Sequence, residues 1–209
     1  MPLATPEPAG TPETLIADAM RNPVNAELIL RLADLGLNDC FLTAGCLFQA
    51  TWNRLSGQRP DWGVKDYDVF YFDDSDLSWE AEDAAIRRVQ AATKELGVNV
   101  EVKNQARVHL WYRQRFNADY PQLRSARDGI DRYLVACTCV GIEVATGALY
   151  APNGLDELNA GILRMNPRHA LPELFRQKAL HYQARWPWLR VATELSPPAP
   201  SRPAPPSAP

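Results

Sequence analysis

The chain has 209 residues, 46% of them hydrophobic and 22% charged, which is enough to bury a core as one domain. Its net charge of -3 argues against a surface that coats nucleic acid, and no apolar run approaches the roughly 18 residues of a membrane span. Residues 1–10 show neither the basic start nor the apolar stretch of a signal peptide. The four cysteines (Cys40, Cys46, Cys137, Cys139) form no CxxC pair and no metal-ligand spacing, so a reduced, cytoplasmic protein is expected.

Residues 1–10 are rich in Pro and Ala, and residues 196–209 are half proline without apolar periodicity. Both are expected to be disordered, because they cannot bury enough surface to offset their ordering entropy. One domain is left, over residues 11–195. Its first part, residues 11–37, reads as two helices broken near Asn22-Pro23, with Ala26, Ile29, Leu30 and Ala33 at helical spacing. Residues 39–43 form a short apolar strand. Gly45 opens a helix over 46–55, and residues 56–63 are a loop punctuated by Gly57, Pro60 and Gly63. A strand built around Asp66 follows. Ser78 caps the next helix, whose first turn holds Glu80, Glu82 and Asp83, where the helix dipole favours acids. Gly97 ends that helix, and a strand around Glu101 follows. Helices are expected over 105–116, 127–134, 155–162 and 171–185, with an apolar strand over 135–144. The alternation of strands and helices predicts a mixed α/β (α+β) fold.

The chemistry concentrates in Lys65-Asp66-Tyr67-Asp68-Val69-Phe70-Tyr71-Phe72-Asp73. Side chains two apart on a strand share a face, so Asp66 and Asp68 stand side by side. Val98-Asn99-Val100-Glu101-Val102 brings a third acid if the two strands are neighbours. Three carboxylates in one place repel one another unless a cation sits among them, so a magnesium site is expected. Upstream, Thr43-Ala44-Gly45-Cys46 joins a strand directly to a helix start, whose free N–H groups suit a phosphate. His109 reads as a packed or hydrogen-bonded histidine, and Asp73, Asp74 and Asp76 as a solvated turn.

This order of strand, Gly turn, helix, Asp-x-Asp strand and acid-bearing strand resembles the nucleotidyltransferase fold of the DNA polymerase β superfamily. Ala44-Gly45-Cys46-Leu47-Phe48-Gln49, Lys65 to Asp73, Val100-Glu101-Val102-Lys103-Asn104-Gln105-Ala106-Arg107 and Trp186-Pro187-x-Leu189 look like a bacterial nucleotidyltransferase-like family within it, over roughly residues 26–190. The resemblance implies transfer of a nucleoside monophosphate from an NTP to a small molecule, a protein or an RNA end. A catalytically quiet nucleotide-binding or regulatory module on the same fold is the alternative. It also implies two Mg²⁺ ions, with Mn²⁺ a possible substitute, bridged by Asp66 and Asp68, while Glu101 holds the ion beside the nucleophile. The backbone at Gly45 and Cys46 would cradle phosphates, and Lys103, Arg107 or Lys178 would neutralise pyrophosphate. Two departures stand out. Cys46 replaces the usual Gly or Ser of the turn, and the loop over 56–64 lengthens the path from Gly45 to Asp66, where it is placed to reshape or cover the phosphate pocket. No membrane partner and no strong nucleic-acid signal are visible, and neither the acceptor nor the oligomeric state is specified.

Overall fold

The computed structural model describes residues 10–192. The expected disordered ends lie outside the described residues, apart from Gly10.

Helix α1 (Pro12–Met20) starts where the Thr11 side chain accepts from Thr14 N and Pro12 fills the first turn, a position with no N–H to satisfy. Asn22 caps α2 (Pro23–Leu35) in the same way, and Gly36 closes it with φ 59. The sequence break at Asn22-Pro23 is therefore a cap followed by a first-turn proline. Strand β1 (Phe41–Thr43) leads into α3 (Gly45–Leu55), then β2 (Tyr67–Tyr71). Helix α4 (Trp79–Thr93) begins with the Ser78 hydroxyl accepting from Ala81 N, and β3 (Val100–Asn104) follows Gly97. After α5 (Val108–Phe116) come α6 (Ala126–Ile130), β4 (Gly141–Glu143), β5 (Leu149–Tyr150), α7 (Asp156–Ala160), β6 (Ile162–Leu163), α8 (Pro172–Arg185) and β7 (Arg190–Val191).

Five strands form a mixed sheet in the order β3-β2-β1-β4-β5, and β6 pairs with β7 in a separate two-stranded sheet. β1 runs antiparallel to β2 and β4, while β2 and β3 are parallel and joined by the α4 crossover. The register sets Asp68 opposite Thr43 on one side and Glu101 on the other. The period of 2 then divides the sheet. Tyr67, Val69, Tyr71, Val100 and Val102 enter the main core with Leu28, Leu32 and Val89. Asp68, Phe70, Glu101 and Lys103 face the other way, and there Phe70 packs against a smaller cluster of Phe41, Ala126, Ile130 and Cys139.

An aromatic knot fixes α8 to α3. Trp52 lies edge-on to Phe48 at 4.8 Å, to Tyr182 at 5.2 Å and to Trp186 at 5.2 Å. The Trp52 indole also donates to Leu158 O at 3.0 Å. Trp52 and Trp186 are thus core residues. Helix α8 is held so that one of its faces looks across the carboxylate side of the sheet.

The loop over 56–64 is tied down by Asn53. Its Nδ2 donates to Pro60 O and Trp62 O, and its Oδ1 accepts from the Trp186 indole. Asn53→Ala would strand those three groups in a buried setting, with an expected loss of about 2–3 kcal/mol. Denaturant unfolding measures it, and a loss too small to resolve would show that water replaces the amide.

Three expectations are corrected. Residues 135–144 are not one strand. Ala136–Thr138 is a 3-10 turn, in which the Thr138 hydroxyl donates to Val135 O, and only Gly141–Glu143 pairs in the sheet. The run is apolar because it is buried on all sides, and such a run carries no period. The helix expected over 127–134 is Ala126–Ile130 alone. The helix expected over 155–162 stops at Gly161, φ 66, and Ile162 begins β6.

Candidate active site

Above the exposed-acid face of the sheet lies a cavity of about 380 Å³. Its walls come from the β1–α3 turn (Ala44, Gly45), Asp66 just before β2, Asp68 and Phe70 on β2, Lys103 on β3, α5, and α8 (Lys178, His181, Arg185).

The β1–α3 turn is strained at Ala44, φ 63 and ψ -139, a conformation that L side chains rarely adopt. The sequence draws attention to Gly45, but the unusual dihedral belongs to its neighbour. Gly45 leaves room for the Gln49 side chain, which accepts from Arg185 and would have to shift for a Cβ 2.4 Å from its Nε2. Cys46 points into the core. It is fully buried, its Sγ donates to Thr43 O at 3.2 Å, and burial pushes its thiol well above the ordinary range. Only its backbone is left for a phosphate role.

Asp66 and Asp68 share the cavity. Asp68 is pushed up to about 7, first by desolvation and then by the negative charges of Asp66 and Glu101, with Lys178 and Lys103 pulling the other way. A carboxyl so crowded by like charge is a group that a cation would relieve. Among the described residues, no three His, Cys, Asp or Glu side chains close into a metal-holding group. The pair still fits magnesium, which takes one or two carboxylates and completes its octahedron with water and substrate phosphates. Glu101 sits across from Asp68 on β3, half-exposed at the rim, with Lys103 Nζ 3.7 Å from its Oε2. It does not line the cavity.

The cationic wall was only partly visible in sequence. Lys178 lines the cavity, and burial lowers its pKa against the raising effect of Asp68 and Asp66. His181 and Arg185 join it at helical spacing on the same face of α8. Arg185 Nη1 donates to Gly63 O at 2.8 Å and to Gln49 Oε1 at 3.2 Å, and its guanidinium lies 4.4 Å from the Trp186 ring. Gly63 is the one residue of the loop over 56–64 that lines the cavity, so that loop braces Arg185 and does not cover the cavity.

Arg107 is elsewhere. It is buried in an ion pair with Glu82, its Nε donates to Leu77 O at 2.9 Å, and it stacks 5.7 Å from the Trp79 ring. Its expected phosphate role is replaced by a structural one. Lys103 does reach the cavity.

The comparisons agree with this fold. The sequence profile of a family described as nucleotidyltransferase matches residues 31–191. The chain belongs to the nucleotidyltransferase family. A solved NMR structure, described as revealing a CCA-adding enzyme head domain, superposes on this nucleotidyltransferase with a TM-score of 0.67. The two are 24% identical, and the match covers 88% of this chain and 97% of that one, which shows a shared fold. No curated protein matches the chain. The α+β class and the nucleotidyltransferase fold expected from the sequence are thus found. Among the described residues no helix is long and apolar enough to cross a membrane.

Proposed function

We propose that this nucleotidyltransferase moves a nucleoside monophosphate from a magnesium-bound NTP to an acceptor hydroxyl or phosphate, with Asp66 and Asp68 as the metal-holding pair. The observation that carries this reading is a wall of cations facing crowded carboxylates. Arg31, Arg54, Arg107, Arg164 and Arg168 each pair with a carboxylate. Among the described residues Lys65, Lys178 and Arg185 form no ion pair, although all three line the cavity beside Asp66 and Asp68. Cations that line a cavity beside crowded carboxylates without closing an ion pair suit a polyphosphate.

In this reading Lys178 and Arg185 neutralise the β- and γ-phosphates, where charge grows as pyrophosphate departs. Backbone N–H groups at the start of α3, beginning with Gly45, add donors at a helix N-terminus. A bound magnesium ion would supply Lewis-acid polarisation of the phosphoryl oxygens. Glu101, at the rim beyond Asp68, would accept the acceptor's proton on a carboxylate oxygen. The acceptor enters from that side. The solved neighbour is named for CCA addition, so CTP and ATP come first in a panel of substrates.

The deciding experiment is pyrophosphate release from each labelled NTP with Mg²⁺, alone and with a metabolite extract or short RNA. Glu101→Gln is expected to lower turnover by at least ~10² while NTP affinity stays unchanged. Parallel loss of affinity would make Glu101 a binding ligand, and no change at all would remove it from the site. Tight NTP binding with no release under any condition would instead identify a quiet nucleotide-binding module, which the position of Glu101 outside the cavity would then explain.

A further inference from the structure

The cavity has a second end that the phosphate chemistry does not use. Trp111 and Tyr112 of α5, Tyr120 from the following loop, and His169 line it together. Tyr112 stacks on Tyr120 with centroids 4.3 Å apart, and its hydroxyl lies 2.7 Å from His169 Nε2. Tyr120 meets His169 edge-on at 5.6 Å, and the Arg132 guanidinium lies 5.5 Å from the Tyr120 ring.

These rings are not core. Each is only partly buried, and Val108 is the one buried residue of α5. Trp52 and Trp186, by contrast, are fully enclosed. These rings pack on one another and on Phe116, beside a helix that hardly enters the core.

The two ends are electrically distinct. Burial lowers the pKa of both cavity histidines. Beyond burial, His181 feels Arg185, Lys65 and Lys178, whereas His169 feels Arg132 alone. Asp66 and Asp68 act on Lys178 and do not figure at His169.

The volume decides how many ligands share the space. At about 380 Å³ the cavity is near the small end of the ~300–1,000 Å³ typical of a site for one organic ligand. There is room for one organic ligand, and one that fills the cavity meets charge at one end and flat rings at the other. We propose that the aromatic end is the nucleobase subsite, with the base stacked against Trp111 and Tyr112 while the triphosphate lies along Lys178 and Arg185. The inference rests on the NTP reading above and adds the group that holds the base. Stacking accepts any base, since every base has a π-face, so the acceptor rather than the base would carry most of the specificity.

The test is calorimetric titration of the full chain in magnesium buffer with ATP, CTP and inorganic tripolyphosphate. Wild-type protein is expected to bind the NTPs at least ~10-fold more tightly than tripolyphosphate, the difference that stacking supplies. Trp111→Ala and Tyr112→Ala should each remove most of that difference and leave tripolyphosphate affinity unmoved. Tyr112→Phe keeps the ring, loses the hydroxyl contact to His169, and should stay within a few-fold of wild type. Trp111→Leu guards against an unfolded alanine variant and should behave as Trp111→Ala does. Equal affinity of wild type for NTP and tripolyphosphate overturns the base subsite, as does NTP affinity untouched by these ring-removing variants. Tripolyphosphate that fails to bind, or binds Arg185→Ala as well as wild type, overturns the phosphate end instead, and the base subsite falls with it.

Discussion

Asp68→Asn is expected to abolish most turnover, by at least ~10², and to stabilise the metal-free protein above neutral pH. Both effects have one cause. Asp68 is itself largely desolvated and stands beside the charges of Asp66 and Glu101, and its folded-state pKa stands at about 7 against an ordinary 3.8. Below about pH 4 the carboxyl is protonated in both folded and unfolded chains, so it carries no penalty. Between those values the folded chain holds a proton that the unfolded chain has released, and stability falls as pH rises. Above about pH 7 the full cost of the buried charge is present. Asparagine removes that cost, so the gap in Tm between variant and wild type should open from about pH 4 to about pH 7 and then level off. Solvent reaches the cavity, which tempers the size; a gap on the order of 4 °C corresponds to about 1–2 kcal/mol in a chain of this length. Melts in chelator across that range measure it. Added Mg²⁺-NTP should raise the wild-type Tm and leave Asp68→Asn where it was. A variant with normal turnover, or a Tm gap indifferent to pH, would remove Asp68 from the proposed metal pair.

How much of this site could be read in the sequence depends on the range of the signal. Caps are local, and Asn22-Pro23, Ser78 and Gly97 stop or start helices where the sequence places them. The pairing of the Asp68 and Glu101 strands entered only as a condition, and the parallel β2–β3 register, joined by the α4 crossover, meets it. Other features depend on contacts far apart in the chain. Lys178, His181 and Arg185 fall on one face of α8, but whether that face meets solvent or the cavity is fixed by Trp52 packing on Tyr182 and Trp186. Of the three, the sequence points to Lys178 alone, and nothing local aims His181 or Arg185 at the cavity. Arg107 shows the converse. A basic residue just after an acid-bearing strand looks placed for phosphate, yet it turns back to Glu82, twenty-five residues earlier. Ala44 gives no sequence signal at all, since alanine is the last residue by which a left-handed turn would be recognised.

Glu82→Ala is expected to destabilise the protein by about 3–5 kcal/mol, because it strands a buried guanidinium. Glu82 and Arg107 are 4% and 8% exposed. Besides the ion pair, Glu82 Oε1 accepts from Asn104 N at 2.8 Å, so the carboxylate ties α4 both to the end of β3 and to the turn that launches α5. Asn104 continues the tie, donating to Asp73 O at 2.8 Å and accepting from Ala106 N at 3.1 Å. Removing the carboxylate therefore loosens the segment that carries Trp111 and Tyr112 while leaving Asp66, Asp68 and the α8 cations in place. The double change Glu82→Gln with Arg107→Gln leaves no unpaired charge and should recover part of the loss, since two neutral amides can hydrogen-bond where one charge alone cannot. Urea unfolding of the three proteins measures the stability. If Glu82→Ala costs less than about 1 kcal/mol, water must enter to solvate Arg107 and the pair is not the clasp described. Titration at a temperature where Glu82→Ala stays folded then tests the coupling. NTP affinity should weaken while tripolyphosphate affinity holds, because the clasp supports the aromatic end of the cavity and not its cationic wall.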